Sequence, residues 1–238
     1  MNPYLSVVSV SRNDDHGGDP LIRTQIFINC LAQQCQRYAL DAELILVDWN
    51  PVEGRPGLSS VLTIPDGISR LNIRVITVPK EIHQGYKCSE KLPLFQMIGK
   101  NVGIRRARGD FVLATNIDLL FSEELMQFIA RKRLDRKKVY RVDRYDIESG
   151  LEKDVDLDGA LEYAWAHPIR GNRRIGPLSL LDHLYGEDGM VRECVPEPNV
   201  LATIPELKAI QEDGVWQIRP SRQAEMHFLH TNACRDFT

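Results

Sequence analysis

Two patterns of hydrophobic and polar positions follow each other through the first half of the chain, one typical of strands and the other typical of helices. Short stretches rich in Val, Ile and Leu have the composition of buried strands at 5–11, 42–49 and 111–114, and residues 72–79 alternate apolar with polar in the manner of a strand. Apolar residues recur every three or four positions elsewhere, as in amphipathic helices: 20–38, 93–108 and the segment after Ser122. This alternation predicts an α/β domain of Rossmann type, with a mostly parallel central sheet and helices on both faces.

Local signals place several element ends. Asp19 followed by Pro20 predicts a helix N-cap and first helical position, and Ser122 predicts a second N-cap. Polar residues from 80 to 91 predict a loop. In the second half the pattern weakens, and it predicts strands at 139–147 and 226–232 and a helix near 205–212. We therefore expect residues 1–138 to form the ligand-binding α/β half and residues 139–238 an irregular half of the same domain.

Composition and charge exclude several classes of protein. The net charge of −3 makes nucleic acid an unfavoured partner, and the basic run at 131–138 is interpreted as a solvated helix end. No pair of the five cysteines has metal-site or redox spacing, so Cys30 and Cys35 are predicted to be core residues. The sequence has no signal peptide and no stretch long enough for a transmembrane segment, which favours a cytoplasmic protein.

Several well-known site motifs are absent or incomplete. The sequence lacks the glycine-rich phosphate loops of dinucleotide-binding enzymes and P-loop NTPases, and it lacks the nucleophile motif of serine hydrolases. The acidic run 154–158 begins like a calcium loop, but Trp165 occupies the position of the bidentate carboxylate. We interpret that run as a solvated acidic loop. His227 and His230 are three residues apart in a predicted strand and so make a poor metal pair.

Polar side chains gather where the predicted parallel strands end. Ligands bind beyond the carboxyl ends of such strands. The residues there are Ser9, Ser11, Arg12, Asp48, Trp49, Asn116 and Asp118. Asn116 and Asp118 are two apart and point the same way. They either hold a hard divalent cation or cap a local turn, and these two interpretations are about evenly matched on the residues alone.

The segment KNVGIRRARGDFVLATNID, residues 100–118, resembles glycosyltransferases of the GT-A fold, in particular the family 2-like and galactosyltransferase-type members. The resemblance rests on Asn101-x-Gly103, Ala107-x-Gly109, an apolar strand and Asn116-x-Asp118, which stands where the family has Asp-x-Asp. It covers about residues 5–130.

The resemblance implies an enzyme that moves a sugar from a nucleotide-diphosphate sugar to a hydroxyl acceptor: a glycan, a lipid-linked molecule or a small molecule. It implies Mn²⁺ or Mg²⁺ on Asp118 and Asn116, and base and ribose contacts from Ser9, Ser11, Arg12 and Asp48. Asn101 and Arg105 are expected on the donor side, although Arg105 and Arg108 also fit a solvated helix face. Glu187 or Asp188 is the predicted general base.

Two departures from the family leave alternatives open. Asn116 replaces an acid, and the chain ends at Thr238, before the region that such enzymes use for the acceptor. We therefore expect either a transferase lacking its acceptor part or a degenerate, non-catalytic module that binds nucleotide sugars. A nucleotidyltransferase ranks last, because the loop after the first strand contains three acids.

Overall fold

The computed structural model describes residues 2–14, 18–136, 140–142, 144–173, 176–179, 207–212, 215–220 and 229–230. The chain divides into two compact units. Of the described residues, the first unit contains those up to 136 together with Leu151–Leu161, and the second contains Tyr140–Gly150 and those from Glu162 onward. No helix among the described residues is long and apolar enough to cross a membrane.

A sheet of four strands forms the centre of the first unit. The strands are β1 (Leu5–Ser11), β2 (Ala42–Trp49), β3 (Leu71–Val78) and β4 (Phe111–Ala114). They are all parallel and lie in the order β3-β2-β1-β4. Every residue of β1 and β2 is buried, as the continuous apolar runs predict. The predicted α/β class with a parallel sheet is therefore confirmed.

Helices flank this sheet. They are α1 (Pro20–Arg37), α2 (Leu58–Val61), α3 (Lys80–Gln84), α4 (Gln96–Ile104), α5 (Glu123–Ala130) and α6 (Leu157–Ala166), whose first half belongs to this unit. On one face, α4 packs Ile98 and Val102 against a core that contains Val8 and Ile45. Because side chains alternate along a strand, Val7 and Leu44 point to the other face, and they are fully buried as well.

Two glycines let α4 approach the sheet closely. A Cβ on Gly99 would lie 2.8 Å from Val10 Cγ1, and one on Gly103 would collide with Val8 Cγ1. Gly103, which the sequence places in the Asn101-x-Gly103 motif, is thus a packing residue. It fixes how close α4 lies to β1, and therefore where the side chains of α4 meet the ends of the strands.

Gly103→Ala is expected to destabilise the first unit by about 1–3 kcal/mol, because the added methyl group overpacks the contact with Val8. Urea denaturation followed by circular dichroism measures the change in the free energy of unfolding. Met97→Ala on the same helix is the control, since Met97 is 71% exposed. Equal stability of the two variants would show that α4 moves away from the sheet without cost.

A buried carboxylate joins three strands of the sheet. Glu43 in β2 is 3% exposed. Its Oε1 accepts hydrogen bonds from Ser6 Oγ and from the Arg108 amide, each at 2.6 Å, and its Oε2 accepts two from Arg74 in β3. Burial acts to raise the pKa of Glu43, but these hydrogen bonds and the Arg74 charge outweigh it and hold the pKa below its usual value. Arg108, a candidate site residue, thus contributes its backbone to a structural network.

Several element ends differ from the predictions. The helix predicted over 93–108 is shorter, because the chain enters it through Phe95 with φ −96° and ψ 80°, which is not helical. Asp19 precedes α1 but has φ 34° and makes no side-chain cap, whereas Ser122 Oγ accepts a hydrogen bond from the Leu125 amide as predicted. The predicted loop 80–91 begins with the short helix α3.

The acids of the run 154–158 are exposed, as we expected, but the run leads into a helix and is not a loop throughout. Asp156 Oδ1 accepts a hydrogen bond from the Gly159 amide at 2.8 Å, and α6 begins at Leu157. Leu157 and Leu161 are buried beside Ile26 and Cys30. The apolar spacing of this short helix was hidden by the acids around it. Cys30 and Cys35 are both buried, as predicted, and burial raises the pKa of the Cys30 thiol to about 11.

The described part of the second unit consists mainly of antiparallel strands. A three-stranded sheet contains β6 (Arg144–Ile147), β7 (Pro168–Arg173) and β8 (Gly176–Ser179), and β9 (Leu207–Glu212) pairs with β10 (Val215–Pro220). The strand β5 (Arg141–Val142) pairs with β11 (Leu229–His230). The helix predicted near 205–212 is therefore wrong: this segment is a strand held by its antiparallel partner. His227 lies outside the described residues.

Candidate functional site

The strand order places a crevice at the carboxyl edge of the sheet. Chain order runs outward from β1 in both directions, to β2 and β3 on one side and to β4 on the other. The strand order therefore reverses between β1 and β4, and open α/β sheets bind ligands beyond the carboxyl ends of the strands at such a point. The polar residues predicted to converge are those at the ends of β1, β2 and β4, and the structure brings these ends to the same edge.

Asp48, near the end of β2, carries an unsatisfied oxygen. Its side chain is buried, and Oδ2 accepts a hydrogen bond from the Leu58 amide at 2.9 Å. Its other oxygen, Oδ1, is buried without a hydrogen-bond partner. Burial raises the pKa of Asp48, while the Leu58 amide and the Arg12 charge act in the opposite direction. A buried acceptor without a partner is costly and rare in folded proteins, so this atom requires an explanation.

The loops that follow β1 and β2 are joined beside Asp48. Arg12 Nε donates to the Asn50 carbonyl at 2.7 Å, and Asn13 Nδ2 donates to the Pro56 carbonyl at 2.9 Å. Arg12 also lies 3.6 Å from the Asp14 carboxylate. Asn50 adopts φ 47°, in the left-handed region that asparagine tolerates. These contacts hold the loop after β1 against the loop after β2 beside Asp48.

The serines of β1 have different surroundings. Ser9 is fully buried, and its hydroxyl donates to the Thr115 carbonyl at 3.1 Å, joining β1 to the exit of β4. Ser11 ends β1 opposite Asp48 and is buried at the edge itself. Of the four predicted base and ribose contacts, Ser9 thus already uses its hydroxyl group within the sheet.

An aromatic cluster lies beside the same edge. Trp49 Nε1 donates to His83 Nδ1 at 2.9 Å, so His83 carries its proton on Nε2 and donates it to the Ser89 carbonyl. The Phe95 ring packs against both the Trp49 and the His83 rings. Trp49 is completely buried and is thus a core residue at the end of β2.

Both predicted metal ligands already have cationic partners. Asn116 Oδ1 accepts hydrogen bonds from Lys100 Nζ at 3.0 Å and from Gln96 Nε2 at 2.9 Å. Asp118 Oδ2 forms an ion pair with Arg23 at 2.9 Å. Burial lowers the pKa of Lys100, and the nearby Asp118 charge acts against that shift. Within the described part of the chain, no group of three or more acidic, histidine or cysteine side chains that could hold a metal ion is found.

Lys100, Gln96 and Arg23 were not among the site residues predicted from the sequence. Gln96 and Lys100 are four residues apart on α4 and so share one helix face. The four-residue spacing indicated that Gln96 and Lys100 lie side by side on a helix. The sequence did not show that this helix face meets the end of β4. Arg23 lies in the first turn of α1, and its Nε also donates to the Gly18 carbonyl.

Of the remaining predicted residues, two lie on or directly after α4 and two are outside the described residues. Arg105 is exposed at the C-terminal end of α4. The chain continues from there to Gly109, whose amide donates to Ser6 Oγ near the opposite, amino end of β1. Asn101 is exposed on α4. Glu187 and Asp188 lie outside the described residues.

Comparisons with known proteins give little further information. No family model and no curated protein matches the chain. Among solved structures, a crystal structure of S. aureus TarS 1-349 is 20% identical with a TM-score of 0.40, over 64% of this chain and 38% of that one. A structure titled S. aureus TarS is 19% identical with a TM-score of 0.40, over 64% of this chain and 23% of that one. The chain thus spans less than two fifths of either structure, and a likeness this weak carries no argument about activity.

Proposed function

We propose that the carboxyl edge of the sheet binds a nucleotide-diphosphate sugar and that the protein transfers the sugar to a hydroxyl acceptor. The observation that carries the proposal is the unpartnered Oδ1 of Asp48. Oδ1 is buried in the unliganded protein, so a base N–H or a ribose O–H reaches it only when the neighbouring loop residues move aside. That group then satisfies the acceptor, and a hydrogen bond to a buried carboxylate contributes about 1.5–3 kcal/mol. The likeness to GT-A glycosyltransferases in residues 100–118 supports the transfer chemistry.

The parts of the donor map onto the edge in order. The base and ribose lie in the wall made by the loops after β1 and β2, beside Asp48, Arg12 and Ser11. The diphosphate then extends across β1 towards the exit of β4, where Lys100 and Arg23 provide positive charge. Anionic diphosphates are bound in proteins by such pairs of cationic side chains.

In the reaction, the bond between the anomeric carbon and the β-phosphate oxygen breaks, and its electron pair leaves with the nucleoside diphosphate. The acceptor oxygen forms the new bond to the anomeric carbon and gives its proton to a general base. Glu187 or Asp188 stays the prediction for that base. Positive charge beside the leaving diphosphate stabilises the negative charge that develops in the transition state.

The residues at the predicted metal site do not favour Mn²⁺ or Mg²⁺. Only Asp118 offers a carboxylate, and it is paired with Arg23, while Lys100 occupies the amide oxygen of Asn116. These cations prefer oxygen ligands that no competing cation holds. Metal dependence therefore stays a prediction, and no step of the reaction above uses a metal ion.

A non-catalytic module that binds nucleotide sugars is the second candidate. The substitution that favours it is Asn116, which stands in place of an acid. Isothermal titration calorimetry against a panel of UDP- and GDP-sugars tests donor binding, and release of free sugar from the same compounds tests catalysis. Binding with sugar release supports the transferase, and binding without release supports the module. Absence of binding across the panel contradicts both.

A further inference from the structure

Resting on the proposed function, we propose that Lys100 is the charge partner of the donor diphosphate at this site and acts there in place of a divalent metal ion. The donor would then bind and react without added metal. The ligand class is a nucleoside diphosphate, and Arg23 is the second cation that faces the same group.

The first support for Lys100 as a diphosphate partner is the position of its side chain. It lies on α4, four residues after Gln96, and Gly99 and Gly103 fix the helix against β1. Its ammonium group is thereby held at the exit of β4, 3.0 Å from Asn116 Oδ1. Asn116 is neutral, so this contact orients the ammonium group without neutralising it. A phosphate oxygen that arrives at the crevice therefore meets a cation that is positioned in advance.

The same contact disfavours a metal ion. A magnesium ion on Asn116 Oδ1 would bind at about 2.1 Å from that oxygen. It would then lie within about 5 Å of the Lys100 ammonium group, because both groups contact one oxygen atom. Their mutual repulsion acts in a half-buried site, where solvent screens charges less than at the surface. Lys100 and a metal ion thus compete for one place.

Asp118 and Arg23 complete the arrangement. Arg23 lies on α1, and its guanidinium group contacts Asp118 Oδ2 at 2.9 Å. The Arg23 and Asp118 side chains are 38% and 36% exposed, so this ion pair is open to a ligand. A diphosphate between Lys100 and Arg23 meets cations from two helices, and it shares the Arg23 charge with Asp118. The substitution of Asn for the first acid of the family motif fits this arrangement, since an acid there would neutralise Lys100.

The test separates the diphosphate from the rest of the ligand. Calorimetry in EDTA compares UDP with UMP and GDP with GMP, for the native chain, Lys100→Met and Lys100→Arg. Lys153→Met, at an exposed lysine, is the matched control. Lys100→Met keeps the length of the side chain and leaves Asn116 its contact with Gln96, and circular dichroism checks that each variant is folded.

We expect the native chain to bind one of the diphosphates in EDTA at least tenfold more tightly than its monophosphate. Lys100→Met should reduce that ratio of affinities at least fivefold, while its affinity for the monophosphate stays within twofold of the native value. Lys100→Arg should keep most of the native ratio. Lys153→Met should change neither the ratio nor the affinities. Two results overturn the inference but leave the proposed function standing. One is diphosphate binding that appears only with Mn²⁺ and is lost in Asp118→Ala. The other is an unchanged ratio in Lys100→Met. Absence of binding to every nucleotide, with and without Mn²⁺, overturns both proposals.

Discussion

Glu43→Gln is expected to lower the free energy of unfolding of the first unit by about 3 kcal/mol at neutral pH. The native carboxylate is buried and accepts hydrogen bonds from Ser6, the Arg108 amide and Arg74. In the variant the Arg74 guanidinium loses its counter-charge, and the introduced carboxamide presents hydrogen-bond donors to partners that also donate. Urea denaturation followed by circular dichroism and tryptophan fluorescence measures the loss.

The pH dependence of this loss identifies its cause. Because the folded-state pKa of Glu43 is held below its unfolded value, the carboxylate contributes stability above the unfolded pKa, about 4.3. That contribution disappears as the pH falls through the folded-state pKa. The difference between native and Glu43→Gln should therefore be largest near neutral pH and shrink in acid. A difference that stays constant with pH would indicate a change of shape rather than a lost charge.

An exposed pair near the same strand provides the control. Asp41 contacts Arg70 at 2.7 Å, but their side chains are 53% and 40% exposed. Such surface ion pairs contribute about 0–1 kcal/mol, so Asp41→Asn should change stability by no more than that. A double variant, Glu43→Gln with Arg74→Gln, should lose less than the sum of its single variants, since it leaves no buried charge unpaired. Additive losses would show that Glu43 and Arg74 act independently.

Strands β1, β2 and β4 were predictable because each is a largely apolar run that the sheet buries, whereas β3 alternates apolar with polar residues and is partly exposed. The bounds of β1 and β2 agree with the prediction to the residue, and β4 follows its apolar run from Phe111 to Ala114. A parallel sheet then places their carboxyl ends at one edge, so the position of Asp48 and Asn116 followed from the sequence alone.

The partners of these residues depend on contacts that a linear pattern does not record. Lys100 reaches Asn116 because α4 is rotated and held by Gly99 and Gly103 against two valines of β1. The sequence shows both glycines but not which valines they meet. For the same reason the sequence did not show the role of Glu43. It is a charged residue within an apolar stretch, and Arg74 on the neighbouring strand balances its charge. Pairings between elements are set by tertiary packing, which periodicity does not specify.

The glycines of residues 100–118, the segment that resembles glycosyltransferases, are packing residues in this structure. A Cβ on Gly109 would lie 2.6 Å from the Ser6 backbone nitrogen, and the Gly109 amide donates to Ser6 Oγ. Gly103 keeps α4 close to the sheet. The segment that resembles glycosyltransferases thus resembles them partly in residues that position a helix. This helix carries Lys100, so packing and the proposed binding of diphosphate are connected through α4.

Asp48→Asn is expected to weaken nucleotide binding at least tenfold while leaving the first unit as stable as the native one, or more stable, at neutral pH. Tenfold corresponds to about 1.4 kcal/mol. The asparagine oxygen keeps the hydrogen bond from the Leu58 amide, so the local fold has no reason to change. At the position of Oδ1, however, an acceptor becomes an NH₂ donor, and it then faces the donor group of the base or ribose.

The sign of the change in the free energy of unfolding caused by Asp48→Asn follows from the pKa of Asp48. Burial raises the pKa of Asp48 in the folded state above its unfolded value, so ionised Asp48 costs folding free energy at neutral pH. In the native chain, stability from this group is present below the unfolded pKa, about 3.9, and is lost as the pH rises through the folded-state pKa. The variant carries no charge there, so its advantage should appear at neutral pH and vanish in acid.

Calorimetry with the nucleoside diphosphate that binds best, together with urea denaturation at several pH values, checks both halves of this prediction. Glu53→Gln is the control, because Glu53 is in the loop after β2 with its side chain 91% exposed. Unchanged affinity in Asp48→Asn would remove Asp48 from the binding site and leave its free oxygen unexplained. A variant that loses affinity and stability together would make Asp48 a structural residue, since the ligand contact alone does not stabilise the unliganded protein. Lost affinity with retained stability is the combination that a binding carboxylate requires.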